Sequence, residues 1–542
     1  MKTGTLTATE HGCVMSLEGS NVSVDWPLIL EAANSFGPRE HLTLWTESAE
    51  HVFFELIGDK IPKGLKLSIG DSLSAFHVGK VHVRSLSGYC DASIGDLCRE
   101  FDGDANDHTD RLRVMRDFMA EVETESRRFG VDRTKGTAAS TAHDIWRTQF
   151  NPSGRWRSSK KDAVEDLDFV RGALYGGKTI AHVKGCVYRP GCMPRALVDS
   201  LGAPAYETPK PCFIWRIDVR SAYPSHMRRD MPYPWDSITD DFDLEYKHGV
   251  ANIELRINDD GPRVVPLRVQ GNDGIRTVWP EAGSLVRGTW TYFTIREAVK
   301  HGAVVEGVNK ARTYRVSTYP TKKFVERIWN QQKKINRPSV RKTIKSYSRR
   351  LNGKFGVSRW QNVIIPLEDY FKQIGQNHNT PFPRFVIGDY AIIRQAQDEY
   401  PAYAQALWSA TTIDRATIVL SRVEHELETA GIDVLYVDTD SIMFVAEQDQ
   451  RGGPAVPDYV KSRIGDNIGD WRVDFGPGDW AILFGEKFYA LSDGKTAFSG
   501  IPREIQQELL HNGQASYEQY KTIQSDARTV NFTLNRGQFQ EA

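Results

Sequence analysis

Three acids carry the chemistry this sequence can do. Asp438 and Asp440 stand one residue apart in Val434-Leu435-Tyr436-Val437-Asp438-Thr439-Asp440-Ser441-Ile442-Met443-Phe444, between two apolar, strand-prone runs. Asp218 lies near the end of a third such run, Phe213-Ile214-Trp215-Arg216-Ile217-Asp218-Val219. A hairpin bent at Asp438-Thr439-Asp440 lifts both of its acids to the tip of a buried sheet. Carboxylates are seldom set among core strands unless a cation meets them there. An ordinary polar turn is the plainer alternative, since Asp and Thr are common turn residues. Carboxylates on adjacent strand tips can hold two Mg²⁺ ions roughly 3.5–4 Å apart, one activating an attacking hydroxyl and one stabilising the leaving oxygen. Phosphoryl transfer then needs little beyond positioning and neutralisation of the phosphates.

The neutralising charge is concentrated in one segment. Residues 320–355 hold twelve Lys and Arg against a single acid, Glu326, in a chain whose net charge is −1. On a helix over 339–355, Ile344, Tyr347, Leu351 and Phe355 share one face, and Lys342, Lys345, Arg349 and Asn352 the opposite one. A solvated face is the ordinary reading of such a pattern, but one sign dominating a near-neutral protein points to an anionic partner. The residues alone therefore reach a two-metal phosphoryl-transfer enzyme acting on a nucleotide or nucleic acid. They do not separate a polymerase from a nuclease.

The elements that must position these groups follow the chain. Residues 1 to about 165 read as a mixed α/β unit with a charged helix over 110–129. The polar, basic stretch 154–161 reads as a linker or a phosphate contact. Gly176-Gly177 permits a close backbone approach or a bulge. Arg220 to Ser225 forms a turn into a helix, strands return from about 250, and a helix covers 290–301. Residues 356–400 look irregular, with a loop tip at 377–383. A helix over 402–430 ends at Gly431. Phe484–Leu491 reads as one strand, and a polar tail region follows.

Composition sets the frame. A chain of 542 residues, 40% hydrophobic and 26% charged, is a soluble protein of two to four domains. No run of about 18 apolar residues offers a membrane span, and no targeting segment is recognised. The six cysteines form no Cys-x-x-Cys pair, which argues against a structural zinc site or a disulfide framework. A reduced, cytoplasmic protein is expected, in a host cytoplasm if phage-encoded.

Over about residues 170–500 the ordered motifs resemble those of family B DNA polymerases. Asp218-Val219-Arg220-Ser221-Ala222-Tyr223-Pro224-Ser225 is similar to that family's motif A, D-x-x-S-L-Y-P-S. Tyr436-Val437-Asp438-Thr439-Asp440-Ser441 matches motif C, Y-x-D-T-D-S. Lys487-Phe488-Tyr489 matches the later K-x-Y motif. The nearest resemblance is to the small phage and plasmid polymerases, many of them protein-primed, through Gly176-Gly177, although Leu174 stands where their motif has tyrosine. The resemblance implies an α+β multidomain right hand with an N-terminal exonuclease-like α/β domain. Its expected parts are that domain (1–165), palm (166–305), fingers (306–356), second palm part with motif C (357–480), and K-x-Y strand with small thumb (481–542). Residues 356–400 could hold an insertion within the palm.

By the same resemblance Asp218 and Asp440 are catalytic acids and Asp438 supports them. Asp218, Val219 and Asp440 are the metal-binding positions, for two Mg²⁺ ions with Mn²⁺ as a substitute. Ser221, Ala222, Tyr223, Lys345, Arg349 and Asn352 are nucleotide-binding positions, with Tyr223 packing under the sugar. Gly176, Gly177, Lys342, Thr439, Lys487 and Tyr489 are DNA-binding. Template-primer DNA and dNTPs are the implied partners of a monomer, with a terminal protein or other replication proteins as further candidates.

Two departures qualify this. Motif B, K-x-x-x-N-S-x-Y-G in the family, is here Lys345-Ser346-Tyr347-Ser348-Arg349-Arg350-Leu351-Asn352-Gly353. The pocket that checks the base pair is expected to be looser or rearranged. No Asp-x-Glu pair occurs in the first 160 residues, so 3′–5′ proofreading is expected to be absent; Glu50 and Asp110 are the candidate remnants. The competing reading is a catalytically impaired or accessory DNA-binding protein that keeps the fold. A nuclease ranks third, and Asp-Thr-Asp in place of adjacent aspartates disfavours a reverse transcriptase.

Overall fold

The computed structural model describes most of residues 2–498. The main stretches outside it are 25–28, 30–41, 54–65, 155–163, 200–203, 234–237, 258–260, 377–384 and everything from 499 onward. Most of the expected linker, the loop tip, Glu50 and most of the expected thumb lie outside the described residues. The chain divides into two compact units. One gathers residues 1–160 and 320–404, the other 161–319 and 405–498 among the described residues. The division does not fall at 356/357: residues 357–404 group with the N-terminal residues.

The first unit is built on a seven-stranded mixed sheet. At its centre Leu42–Thr46 runs parallel to both Lys2–Thr9 and Val81–Ser85. All five residues of Leu42–Thr46 are buried, as expected of a central parallel strand covered on both faces. The helix His108–Arg127 is capped by the Asp107 carboxylate accepting from Thr109 N, and it buries Leu112, Met115, Phe118 and Met119. Lys322–Gln332 and Pro338–Phe355 form the basic helix pair, the second opening on proline at its first turn.

The described residues of 356–400 are not irregular. Trp360–Pro366, Phe385–Ile387 and Tyr390–Ala396 form an antiparallel sheet covered by the helix Leu367–Gln376. Its small core joins Tyr370, Ala391 and Ile393 with Ile365 and Leu367. The apolar runs Val363–Ile365 and Ala391–Ile393 carried that signal, but polar neighbours diluted it.

The second unit holds the three acids. Its central five-stranded sheet has the order Trp471–Gly478, Phe213–Val219, Ser441–Ala446, Val434–Asp438, Thr179–Ala181, all antiparallel. One face packs on the long helix Ala406–Thr429 through Trp215, Ile217, Leu420, Val423 and Phe444. The other packs on a second sheet through Ile214, Leu435, Met443, Ala481 and Leu483. Burial on both faces explains why the three runs are apolar throughout rather than alternating.

The long helix stops as its sequence dictates. Gly431 is left-handed (φ +74°), its N–H donates to Glu428 O, and Ile432 N donates to Leu427 O. That paired arrangement satisfies two terminal carbonyls and turns the chain into Val434–Asp438.

Candidate active site

Strand register brings the expected residues together. Asp218 pairs with Ser441 on one side and with Arg472 on the other, Ser441 pairs with Asp438, and Asp438 with Thr179. Arg472, Asp218, Ser441, Asp438 and Thr179 therefore form one row across the sheet. Directly paired residues share a face, so Asp218 and Asp438 point the same way. Thr439 and Asp440 are the two-residue loop of the hairpin, and Asp440 O accepts from Val219 N at 2.7 Å. That bond ties the hairpin tip to the end of the Asp218 strand.

The turn is strained in the manner of a functional site. Among the described residues only four non-glycines have positive φ: Asp102, Ser221, Thr439 and Lys487. Three of these are expected site positions. A left-handed non-glycine costs on the order of 1–3 kcal/mol and persists only where its surroundings enforce it. For Thr439 the enforcement is visible: its N–H donates to Lys178 O at 2.6 Å, and its hydroxyl donates to Asp438 Oδ1 at 3.0 Å. Thr179 Oγ1 donates to the same oxygen at 3.1 Å, and Lys487 Nζ lies 3.8 Å from it.

Lys487 is not inside a strand. Trp480–Gly485 and Phe488–Leu491 form a hairpin with Glu486-Lys487 as its loop. Its exposed side chain (54%) can therefore reach toward Asp438, while Lys487 N donates to Tyr436 Oη at 2.6 Å. Tyr489 is buried and packs edge-on to Tyr436. Burial, its largest cause, raises its phenol above the ordinary range.

Gly177 has a steric reason. A Cβ there would lie 2.7 Å from the Thr439 side chain and 3.0 Å from Tyr223 Oη. Its smallness lets the Gly176-Gly177 segment back onto both the turn and the motif A helix, Ala222–Met227. Gly176 is exposed with open space around its Cα.

Sequence reasoning missed two residues. Arg472 donates from Nε and Nη2 to the two oxygens of Asp218 at 2.5 and 2.8 Å. That fork raises the guanidinium above its usual value, and Asp440 and Asp474 act in the same direction. Lys178 is fully buried and donates to Arg263 O, Ser421 Oγ and Glu424. Glu424 also bonds His182 at 3.0 Å. Both partners lie more than 240 residues away in sequence, and only the register of the folded sheet reveals them.

Asp218 and Asp440 offer hard carboxylate oxygens on neighbouring strand tips, the donors that Mg²⁺ and Mn²⁺ take. The Arg472 guanidinium takes both oxygens of Asp218, so a metal there would have to displace it. The residues fit.

Shape comparison with solved structures gives a consistent result. Phi29 DNA polymerase complexed with primer-template DNA and incoming nucleotide aligns with a TM-score of 0.66 at 13% identity, over 94% of this chain and 93% of that one. Its orthorhombic crystal form aligns at 0.64 and 13%, over 94% of each. The complex with single-stranded DNA also aligns at 0.64 and 13%, over 94% and 93%. The chain has the fold of the phi29 DNA polymerase. No family model matches the sequence, and no curated protein does. At such low identity the likeness lies in the backbone path.

The segment compared with motif B, Lys345 to Gly353, lies in the first unit. Lys342, Lys345 and Arg349 are exposed on Pro338–Phe355. Asn352 is a correction: it is 3% exposed, so it does not share the cationic face. Its neighbours Leu351 and Phe355 and the turn below at Ser348 are buried too. The buried stripe is wider than four apolar residues suggested, and a polar side chain inside it was read as outward. Asn352 Oδ1 is buried without a hydrogen-bond partner. Tyr347 is fully buried, its hydroxyl 2.8 Å from Ser126 Oγ.

Proposed function

We propose that this protein is a template-directed DNA polymerase, extending a primer 3′ end with dNTPs in phage or plasmid replication and lacking proofreading. The observation that carries the reading is the row across the sheet, which sets Asp218 beside the strained Asp438-Thr439-Asp440 hairpin in a phi29-like fold. Asp218 and Asp440, with Val219, would hold the metal ions. When bound, such ions activate the primer hydroxyl and neutralise the phosphates. The chain's own residues supply the rest. Asp438 fixes the turn through the Thr179 and Thr439 hydroxyls, and Gly177 leaves room for Tyr223 at the sugar position. Lys487 faces the primer, and Lys342, Lys345 and Arg349 present cations for the triphosphate and template-primer backbone. Among the described residues no helix is long and apolar enough to cross a membrane.

Primer extension on a DNA template tests the activity. Extension by wild type that Asp440→Asn abolishes is the expected result; no extension under either metal would overturn it. The proofreading proposal is supported by Asp110, whose carboxylate is engaged by Asp104 N at 2.8 Å and by Arg113. These bonds tie it to the start of its own helix. An end-labelled primer should survive incubation with Mg²⁺ and no dNTPs, and steady shortening that Asp218→Ala leaves unchanged would refute this.

One observation favours the accessory, DNA-binding reading: Arg472 engages both oxygens of Asp218. A metal reaching Asp218 competes with a charge-assisted fork worth about 1.5–3 kcal/mol, discounted because Arg472 is 40% exposed. Arg472→Gln should therefore strengthen Mn²⁺ binding, read by electron paramagnetic resonance, by about three- to tenfold. If wild type extends no primer while Arg472→Gln does, the native chain is the impaired form. If Mn²⁺ binding is unchanged, Arg472 is no competitor for the metal.

A further inference from the structure

Within the second unit a cavity of about 590 Å³ opens between the helices Ala222–Met227, Tyr292–Lys300 and Ala406–Thr429. It uses the side of the long helix bearing Arg415, Ile418, Val419 and Arg422, next to the stripe of Leu420, Val423 and Leu427 that packs on the sheet. Six cations line it: Arg229, Lys247, Arg296, Lys300, Arg415 and Arg422. Only two carboxylates do, Asp230 and Glu297, and both are engaged. Asp230 accepts from Lys247 at 3.0 Å, from Arg415 at 3.2 Å and bonds His248 Nε2 at 3.1 Å. Glu297 is held by the Arg422 fork at 2.5 Å on each oxygen. Arg229 and Lys300 are exposed at the rim, and neither has a carboxylate partner among the described residues.

The surplus charge is felt by the groups within. Burial is the largest cause that lowers Arg415 to about 10; Asp230 opposes it, and Arg229 and Arg296 add to it. Burial also lowers Arg296. His226, 6% exposed and lining the cavity, is lowered to about 3 by burial and then by Arg229 and Arg415. Its Nδ1 is buried without a hydrogen-bond partner. Phe293 forms part of the wall, with the Arg415 guanidinium 4.3 Å and that of Arg296 5.2 Å from the ring centroid. Stacking on this ring, with donation by Arg296 to Tyr292 O and Lys247 O and by Arg415 to Asp230, fixes both guanidiniums in the wall as positive charge.

We propose that this cavity binds a small ligand carrying two or more linked phosphoryl groups, at a site separate from the metal-binding acids. The volume is that of a small-molecule pocket, too small for a nucleic-acid duplex. Single-sign surplus charge beside low-dielectric apolar walls of Val299, Ile418 and Val419 strengthens attraction for a compact polyanion. Arg229 and Lys300 supply exposed charge at the rim, Lys300 acting also on Glu297, which the Arg422 fork already holds.

Isothermal titration of the full chain with inorganic tripolyphosphate, in EDTA so that no divalent ion bridges it to the catalytic acids, tests the proposal. Wild type should bind one equivalent. Arg229→Gln/Lys300→Gln should bind at least about tenfold more weakly, while Arg256→Gln, an exposed cation of the same unit outside the cavity, binds as wild type does. Both changed side chains are exposed, and matching thermal melts will confirm the fold. Absence of binding to wild type, or equal binding by the double variant, would overturn the site. So would a double variant that loses affinity for duplex DNA but not for tripolyphosphate, which would mark a DNA-contacting surface instead. Primer extension should be unchanged in the double variant, so this test fails or succeeds independently of the polymerase reading.

Discussion

Asp440→Asn and Asp218→Asn are each expected to lower primer extension by a factor on the order of 10³, the loss typical when a group stabilising transition-state charge is removed. The two should differ in what else they disturb. Asp440 sits in a two-residue loop whose conformation is set by backbone bonds, Val219 N to Asp440 O and Thr439 N to Lys178 O. Its amide replacement leaves these intact and removes the carboxylate's pull on the partly exposed Arg472, so the melting temperature should move little. Asp218→Asn removes the acceptor of the Arg472 fork. Arg472 is 40% exposed, so water takes over most of the loss, and the cost should be about 1 kcal/mol or less. Asp438→Asn should be milder in catalysis, because Asp438 acts through the Thr179 and Thr439 hydroxyls that fix the turn. Extension rates measured beside thermal melts check all three. An Asp440→Asn protein that extends primers at a tenth of the wild-type rate would remove this residue from the chemistry.

What the sequence showed of this site was local, and what it hid was long-range. The hairpin was legible because two apolar runs flank a loop of turn residues, and Gly431 because only glycine readily takes the left-handed cap. The strand placement of Asp218 followed from the same logic. Arg472 was not legible: its only claim on the site is register, made by a strand that pairs with Asp218 from 254 positions away. Asn352 lies inside despite its polar side chain because its face neighbours one turn to either side, Ser348 and Phe355, are both buried. The hairpin at Glu486-Lys487 was read as continuous strand because apolar residues flank it on both sides. There a left-handed lysine, a conformation that favours glycine or asparagine, makes the turn. Local rules fail most where tertiary structure enforces a costly conformation, and such places gather around the proposed site.

Lys178→Met should destabilise the second unit by about 3–5 kcal/mol, because it takes the buried lysine from the Glu424 carboxylate and leaves it only the His182 contact. Lys178 is fully buried and Glu424 2% exposed, and the lysine makes three polar contacts while its backbone carbonyl holds Thr439. Lys178 and His182 hold Glu424 below the ordinary carboxylate range despite burial. A depressed folded-state value stabilises the fold above the unfolded carboxylate's pKa, and this is lost as pH falls through the folded value. The gap between wild type and Lys178→Met should therefore be full near neutrality and shrink in acid, where Glu424 protonates in the variant. The double variant Lys178→Met/Glu424→Leu removes both charges and should recover most of the stability. It keeps the backbone bond to Thr439, so primer extension should recover with the fold. Urea unfolding across pH measures the energies. A Lys178→Met protein as stable as wild type at neutral pH would show that the pair does not brace the turn. A double variant no better than the single one would show that the lysine's bonds to Arg263 O and Ser421, rather than relief of Glu424, are what the hairpin depends on.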